Sequence, residues 1–183
     1  RRALMLAMAA LAAAGITGVH DAGTSQQDLE RFLAAENADE LTLRIYAMAD
    51  GDLELLQSLC QDTVHTDRVS ARSVKLYADG ALGSRGAALI ADYSDDPGNR
   101  GLLLQPKARL TEQVTRAMGC GLQVNTHAIG DLGNRVVLDA YESGSIEHPA
   151  NPGRHRIELA HVISPRDFPR CAELSLIASV QPT

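Results

Sequence analysis

Ser73-Val-Lys-Leu-Tyr-Ala-Asp-Gly-Ala-Leu-Gly-Ser-Arg-Gly-Ala87 begins as a strand and breaks into a glycine-rich loop. Its first half alternates and is rich in β-formers, the pattern of a half-buried strand. Gly80, Gly83 and Gly86 then punctuate a loop, and Asp79 stands where the strand gives way to it. Lys75 lies inside this otherwise apolar strand. An ammonium is costly to bury there unless it has a partner or has changed its chemistry.

Working outward, the same order repeats: a helical pattern, a short loop, a strand, then polar or glycine residues. Helices are expected over 1–14, 26–36 (with Ser25 as N-cap), 52–60, 111–118, 134–141 and from Ser164-Pro165 to about Leu174. Strands are expected over 16–20, 41–48, 69–78, 122–127, 155–163 and 176–180. Asp21, Gly23, Thr24 and Ser25 read as a loop, 61–68 as a polar connector, 80–107 as a long insert and 143–154 as a Gly/Pro-rich loop. Six strands alternating with helices mean parallel β/α units. They fit either an open doubly wound sheet or part of an eight-fold barrel. No G-x-G-x-x-G follows the first strand, which lowers the dinucleotide-binding reading. The notable residues, His20-Asp21, Asp79, His127, Asp131 and His161, fall at strand ends. That is where a barrel keeps its chemistry.

The 183 residues are enough for one domain with a real core. Aromatics make up only 3%, with no Trp, so Ala, Leu, Val and Ile must build that core. Scarce aromatics and a formal charge of −6 argue against a nucleic-acid partner. Cys60, Cys120 and Cys171 are far apart and odd in number, which reads as free thiols in a reducing cytoplasm rather than a zinc-thiolate site. The apolar start Arg1–Gly15 resembles a signal peptide but is too short to span a bilayer. A helix closed by Gly15 is the favoured reading, because a strand follows at once. No membrane association is expected, and a homo-oligomer is left open. Both ends look cut, as in a piece of a longer polypeptide.

His127 ends a strand in Gln123-Val-Asn-Thr-His-Ala-Ile-Gly-Asp131, and a glycine turn delivers Asp131 four residues later. Imidazole is a common zinc ligand, and a nearby carboxylate can fix its tautomer. The rival is a core histidine satisfied by a carbonyl. Three roles are open to Lys75: a Schiff-base nucleophile, a lysine carboxylated by CO2 into an anionic metal ligand, or a structural lysine that snorkels to water. In Arg156-Ile-Glu-Leu-Ala-His-Val162, His161 shares a strand face with Leu159, and Glu158 lies on the other. Glu158 otherwise reads as an ion-pair partner of Arg154 or Arg156. His65, His148 and His155 sit in polar surroundings and read as solvated, and Asp95-Asp96 as turn chemistry.

Several of these stretches together resemble the amidohydrolase superfamily, in its amidohydrolase-3 branch of YtcJ-like metal-dependent hydrolases, to which the N-substituted formamide deformylases belong. They are Gly15–Gly23, Val74–Leu89, Tyr93–Gly101, Gln123–Asp131, Arg154–Glu158 and Ser179–Thr183. The resemblance covers nearly the whole chain and is most specific in the second and fourth. It implies a (β/α)8 TIM-type barrel, incomplete here at about six β/α units, with residues 1–183 as its central part. It also implies one or two divalent metal ions, zinc foremost, and hydrolysis of non-peptide carbon–nitrogen bonds in a small amide- or formamide-like substrate. Lys75 would be the carboxylated lysine, and His127 the ligand of the next strand. Where the family usually reads Arg-Ile-Glu-His-Ala-Gln, this chain has Arg156-Ile-Glu-Leu-Ala-His161, so His161 would act from one strand period, roughly 7 Å, further on. Asp79, Arg85 and Asp131 would be substrate-binding or bracing residues. A His-x-His pair should lie before Arg1 and the general-base aspartate beyond Thr183, leaving this chain inactive alone. The alternatives are a Schiff-base lyase or aldolase using Lys75, or a homologue whose site has decayed.

Overall fold

The Ala/Leu-rich start folds as α1 (Arg2–Ala13). Gly15, at φ +75°, closes it with bonds from its own N–H to Ala12 O and from Ile16 N–H to Leu11 O, a Schellman cap that favours glycine. The computed structural model describes residues 1–51, 53–151 and 153–181. Asp52, where the sequence opens its third helix, lies outside them, as does the end of Ser179–Thr183. The described chain forms two compact units, residues 1–74 and 75–183.

In the first unit α1 is followed by β1 (Gly18–Thr24), α2 (Gln26–Asn37), β2 (Arg44–Ala49), α3 (Leu53–Gln61) and β3 (Val64–His65). Most of β4 (Val69–Tyr77) also belongs to it. Ser25 caps α2 by accepting the Asp28 N–H, as its residue type predicts. β1 pairs with β2 and β2 with β4, both parallel, while β3 returns antiparallel to β4. Two expectations change here. β1 runs on through Asp21 to Thr24, because Gly23 at φ +102° absorbs a bulge in its pairing with β2. The connector 61–68 contains the short β3. Leu29, Leu43, Ile45, Ala47, Leu56, Leu59 and Val69 are buried and supply an aliphatic core.

The second unit begins at Lys75. It contains the end of β4, the insert, α4 (Lys107–Gly119), β5 (Gln123–Ala128), α5 (Asp131–Glu147), β6 (Arg156–Leu159), α6 (Phe168–Glu173) and β7 (Ile177–Ser179). The strands lie in the order β4, β5, β6, β7, with β5–β6 and β6–β7 parallel. α4 starts four residues earlier than its Thr-Glu-Gln suggested, directly after Pro106. α5 is longer than predicted at both ends, and residues 143–147 of the expected 143–154 loop are helix. Its Gly144 reads as a breaker but is a contact: a Cβ there would lie 2.5 Å from Met118 Sδ of α4. Tyr141, fully buried, hydrogen-bonds through its hydroxyl to Thr126 Oγ1 and the Arg156 carbonyl, tying α5 to β5 and β6.

β6 stops at Leu159 rather than reaching Ile163. Leu159 and Ala160 turn into the left-handed region, at φ +78° and +40°, so strand alternation ends there. The expected helix from Ser164 shortens to α6, with Pro169 rather than Pro165 in its first turn. His155 is buried rather than solvated, its Nδ1 accepting the Val124 N–H at 3.0 Å. Cys171 is a free thiol.

Candidate metal centre

Lys75 and His127 both belong to the second unit, on adjacent strands at their C-terminal ends. The Ala78 N–H donates to the His127 carbonyl, which ties the end of β4 to β5. Lys75 is 4% exposed and does not snorkel to water. Its Nζ donates to the Leu76 carbonyl at 3.2 Å and lies 3.6 Å from the centre of the Tyr77 ring. Burial pushes its pKa down to about 8, and the charge of Glu158 works against the fall.

His127 is half-buried, with its ring centroid 5.9 Å from that of Tyr77. Its Nε2 is 3.5 Å from the Gly80 carbonyl and 3.6 Å from Asp79 Oδ1. Burial holds this imidazole below its ordinary pKa, and the positive charge of Lys75 adds to that. The Gly80 carbonyl and Asp79 pull the other way. At neutral pH the ring is therefore uncharged and able to coordinate a cation.

His161 follows the left-handed turn after β6 and is exposed. The expected face-sharing with Leu159 does not occur, because the strand has already ended. His161 still lies within electrostatic reach of His127. Glu158 instead stands opposite His127 in the β5–β6 register. It accepts from Arg156 Nε at 2.6 Å, the ion pair read from sequence, and its charge reaches Lys75. Burial pushes its pKa up, but hydrogen bonds from Arg156 and Ser179, with the charges of Arg156 and Lys75, outweigh this and hold it below the usual range. Tyr77 and Glu158 are the neighbours that sequence reasoning passed over. Tyr77 was findable, being one strand period beyond Lys75.

The three flanking residues act on the loops. Asp79 is fully buried and accepts backbone N–H bonds from Ala88, Ile129 and Gly130, so one carboxylate joins the insert to the start of α5. Asp131 accepts from Ile90 and Leu132. The carboxylate beside His127 is thus Asp79, not Asp131. Arg85 pairs with Asp95 at 3.0 Å, within the insert. His20 and Asp21 belong to the first unit, where the His20 ring lies beside Tyr46 and Asp21 accepts from Thr24.

Among the described residues no three His, Cys, Asp or Glu side chains converge on a metal position. The imidazole of His127 can donate to a cation as it stands, Lys75 only in its neutral or a modified form, and the Glu158 carboxylate lies beside them.

The sequence pattern described as the amidohydrolase family matches residues 1–183. The chain is 31% identical over 180 residues to Protein LONG AFTER FAR-RED 3 of Arabidopsis thaliana, an alignment covering 87% of this chain and 31% of that protein. It is 37% identical over 111 residues to YtcJ of Bacillus subtilis (strain 168), whose name proposes an amidohydrolase, covering 60% of this chain and 20% of YtcJ. Two crystal structures of uncharacterized metal-dependent hydrolases are similar to it, both 30% identical and covering 97% of this chain. The one from Pyrococcus horikoshii OT3 has a TM-score of 0.88 over 36% of its own length. The one from Pyrococcus furiosus has a TM-score of 0.87 over 37%. The chain therefore spans about a third or less of the length of these relatives. Its fold class is α/β, an incomplete TIM-type barrel of about six strands.

Proposed function

The chain belongs to the amidohydrolase family, and from this we propose that it supplies part of the active site of a metal-dependent hydrolase for non-peptide carbon–nitrogen bonds of amide or formamide type. One observation carries the reading: a buried lysine with a pKa near 8 beside a histidine kept neutral by burial, at the ends of adjacent strands. Lys75 and His127 would hold the cation, with His161 as the third donor, and imidazole nitrogens suit zinc. An amine of pKa about 8 is roughly one-tenth neutral at pH 7. That neutral amine can add CO2, forming an N–C bond and releasing a proton, and so become the anionic ligand that the resemblance implies. A bound divalent ion would lower the pKa of its water toward 7 and polarise the acyl oxygen under attack. The chain's own part is to keep His127 uncharged, exclude water around Lys75, and hold the insert in place through Asp79 and Asp131.

Metal analysis of the purified protein, with Lys75→Ala and His127→Ala variants, tests this reading. We expect about one or two equivalents of divalent metal in the parent. Each variant should lose metal and at least about 100-fold of its amide or formamide hydrolysis. No metal in the parent, together with unchanged activity in both variants, would overturn it. The lowered pKa of Lys75 also favours a second reading, a Schiff-base lyase or aldolase. Borohydride trapping with a carbonyl substrate separates the two, since a carboxylated lysine does not trap.

A further inference from the structure

Asp79 lies outside the donor set, yet its two oxygens divide their work. Oδ2 accepts from Ala88 N–H at 2.9 Å and Gly130 N–H at 2.8 Å, joining the insert to the start of α5. Oδ1 accepts from Ile129 N–H at 3.0 Å and faces His127 Nε2 at 3.6 Å. The Gly80 carbonyl oxygen lies 3.5 Å from the same nitrogen. A lone pair on Nε2 would face two oxygens, one of them anionic, and be repelled by both. A proton on Nε2 is attracted by both. We propose that Asp79 is a positioning residue: with the Gly80 carbonyl it holds His127 as the Nε2–H tautomer, leaving Nδ1 as the basic nitrogen, while the same carboxylate pins the insert.

The surroundings are shaped for this. A Cβ at Gly133 would come 2.4 Å from Asp79 Oδ2, and one at Gly130 would come 1.9 Å from the Ala88 carbonyl oxygen. Both glycines leave the space that lets the carboxylate and the insert meet α5. A carboxylate beside a ligand histidine fixes which ring nitrogen is bare, and losing such a partner costs about 10–100-fold in metal affinity. The value of a fixed tautomer depends on the metal-site reading above. The tautomer itself does not.

The experiment is long-range 1H–15N NMR of the ring nitrogens in 15N-histidine-labelled protein freed of metal by chelation, with zinc affinity measured in parallel. The parent should show the proton on Nε2 of His127. In Asp79→Asn the amide oxygen can keep the Ala88 and Gly130 bonds, which turns the NH2 toward the ring. The Nδ1–H form should then gain population, and zinc affinity should fall about 10–100-fold. Asp79→Ser, smaller and free of the Gly133 contact, is the second variant and should also lose the single tautomer. Asp131→Asn loosens the same insert through Ile90 and should keep the parent spectrum. A proton on Nδ1 in the parent overturns the proposal. So does an unchanged spectrum in both Asp79 variants, or a shift in Asp131→Asn equal to theirs, which would reduce Asp79 to a loop brace.

Discussion

Gly133 lies in the first turn of α5, where alanine would ordinarily be favoured by about 1 kcal/mol. The added methyl would sit 2.4 Å from a buried, triply hydrogen-bonded carboxylate that cannot retreat without breaking its own bonds. The clash outweighs the propensity, and Gly133→Ala should lose about 1–3 kcal/mol in urea denaturation. A more stable variant would mean that Asp79 yields. Lys75 allows a second test at this scale. Its ammonium lies over the Tyr77 ring, an attraction worth about 0.5–2 kcal/mol that favours the charged form. In Tyr77→Leu the pH midpoint for labelling Lys75 with a small acylating reagent should move below the parent's value of about 8. An unmoved midpoint would show that the ring contact contributes nothing. The sequence displayed a lysine in an apolar strand with Tyr77 one strand period on, but not the Glu158 charge nearby.

At the scale of elements, α5 is held to the strand ends by polar side chains that helical periodicity does not reveal. Asn134 is fully buried, and its Nδ2 lies within hydrogen-bond distance of the carbonyls of Ile129, Gly130 and Val162. These belong to the turn after β5 and the segment after β6, the loops that carry Asp131 and His161. Asn134→Leu would remove this shared donor, although Ile129 and Gly130 each keep a backbone partner, and should cost about 1 kcal/mol. Hydrogen exchange should accelerate at Val162 and in the first turn of α5 before it does elsewhere, and uniform protection would contradict that role. β6 shows where alternation misleads. Arg156 to Leu159 follow period two, and an extrapolation to His161 looks natural. The backbone leaves the extended region at Leu159 and Ala160, so His161 is placed by a turn instead.

For the molecule as a whole, acid stability follows from buried histidines. Burial pushes His155 down to about 4, from 6.5 in the unfolded chain. Above pH 6.5 the residue is neutral in both states. Below it the unfolded chain takes up the proton first, so stability falls as pH drops from 6.5 to about 4, by about 3 kcal/mol in all. His127 shifts in the same direction and adds to the slope. The lowered carboxylates Asp28 and Glu158 contribute at lower pH, toward their own protonation. His155→Gln should flatten, without abolishing, the fall between pH 6.5 and 4.5 in denaturant titrations. An unchanged slope would show that His155 is not held neutral. None of the described helices is long and apolar enough to cross a membrane. The sequence by itself determined the β/α alternation, the helix caps at Ser25 and Gly15, and the strand-end positions of Lys75 and His127. These depend on local periodicity and residue type, which lie within a few positions of one another. Only the tertiary structure decided that Asp79 rather than Asp131 stands beside His127, that Glu158 rather than His161 faces it across the sheet, and that His155 is buried. Those pairings join residues 30 to 50 or so positions apart, and their energies come from desolvation and charge in a shared interior, which no local pattern encodes.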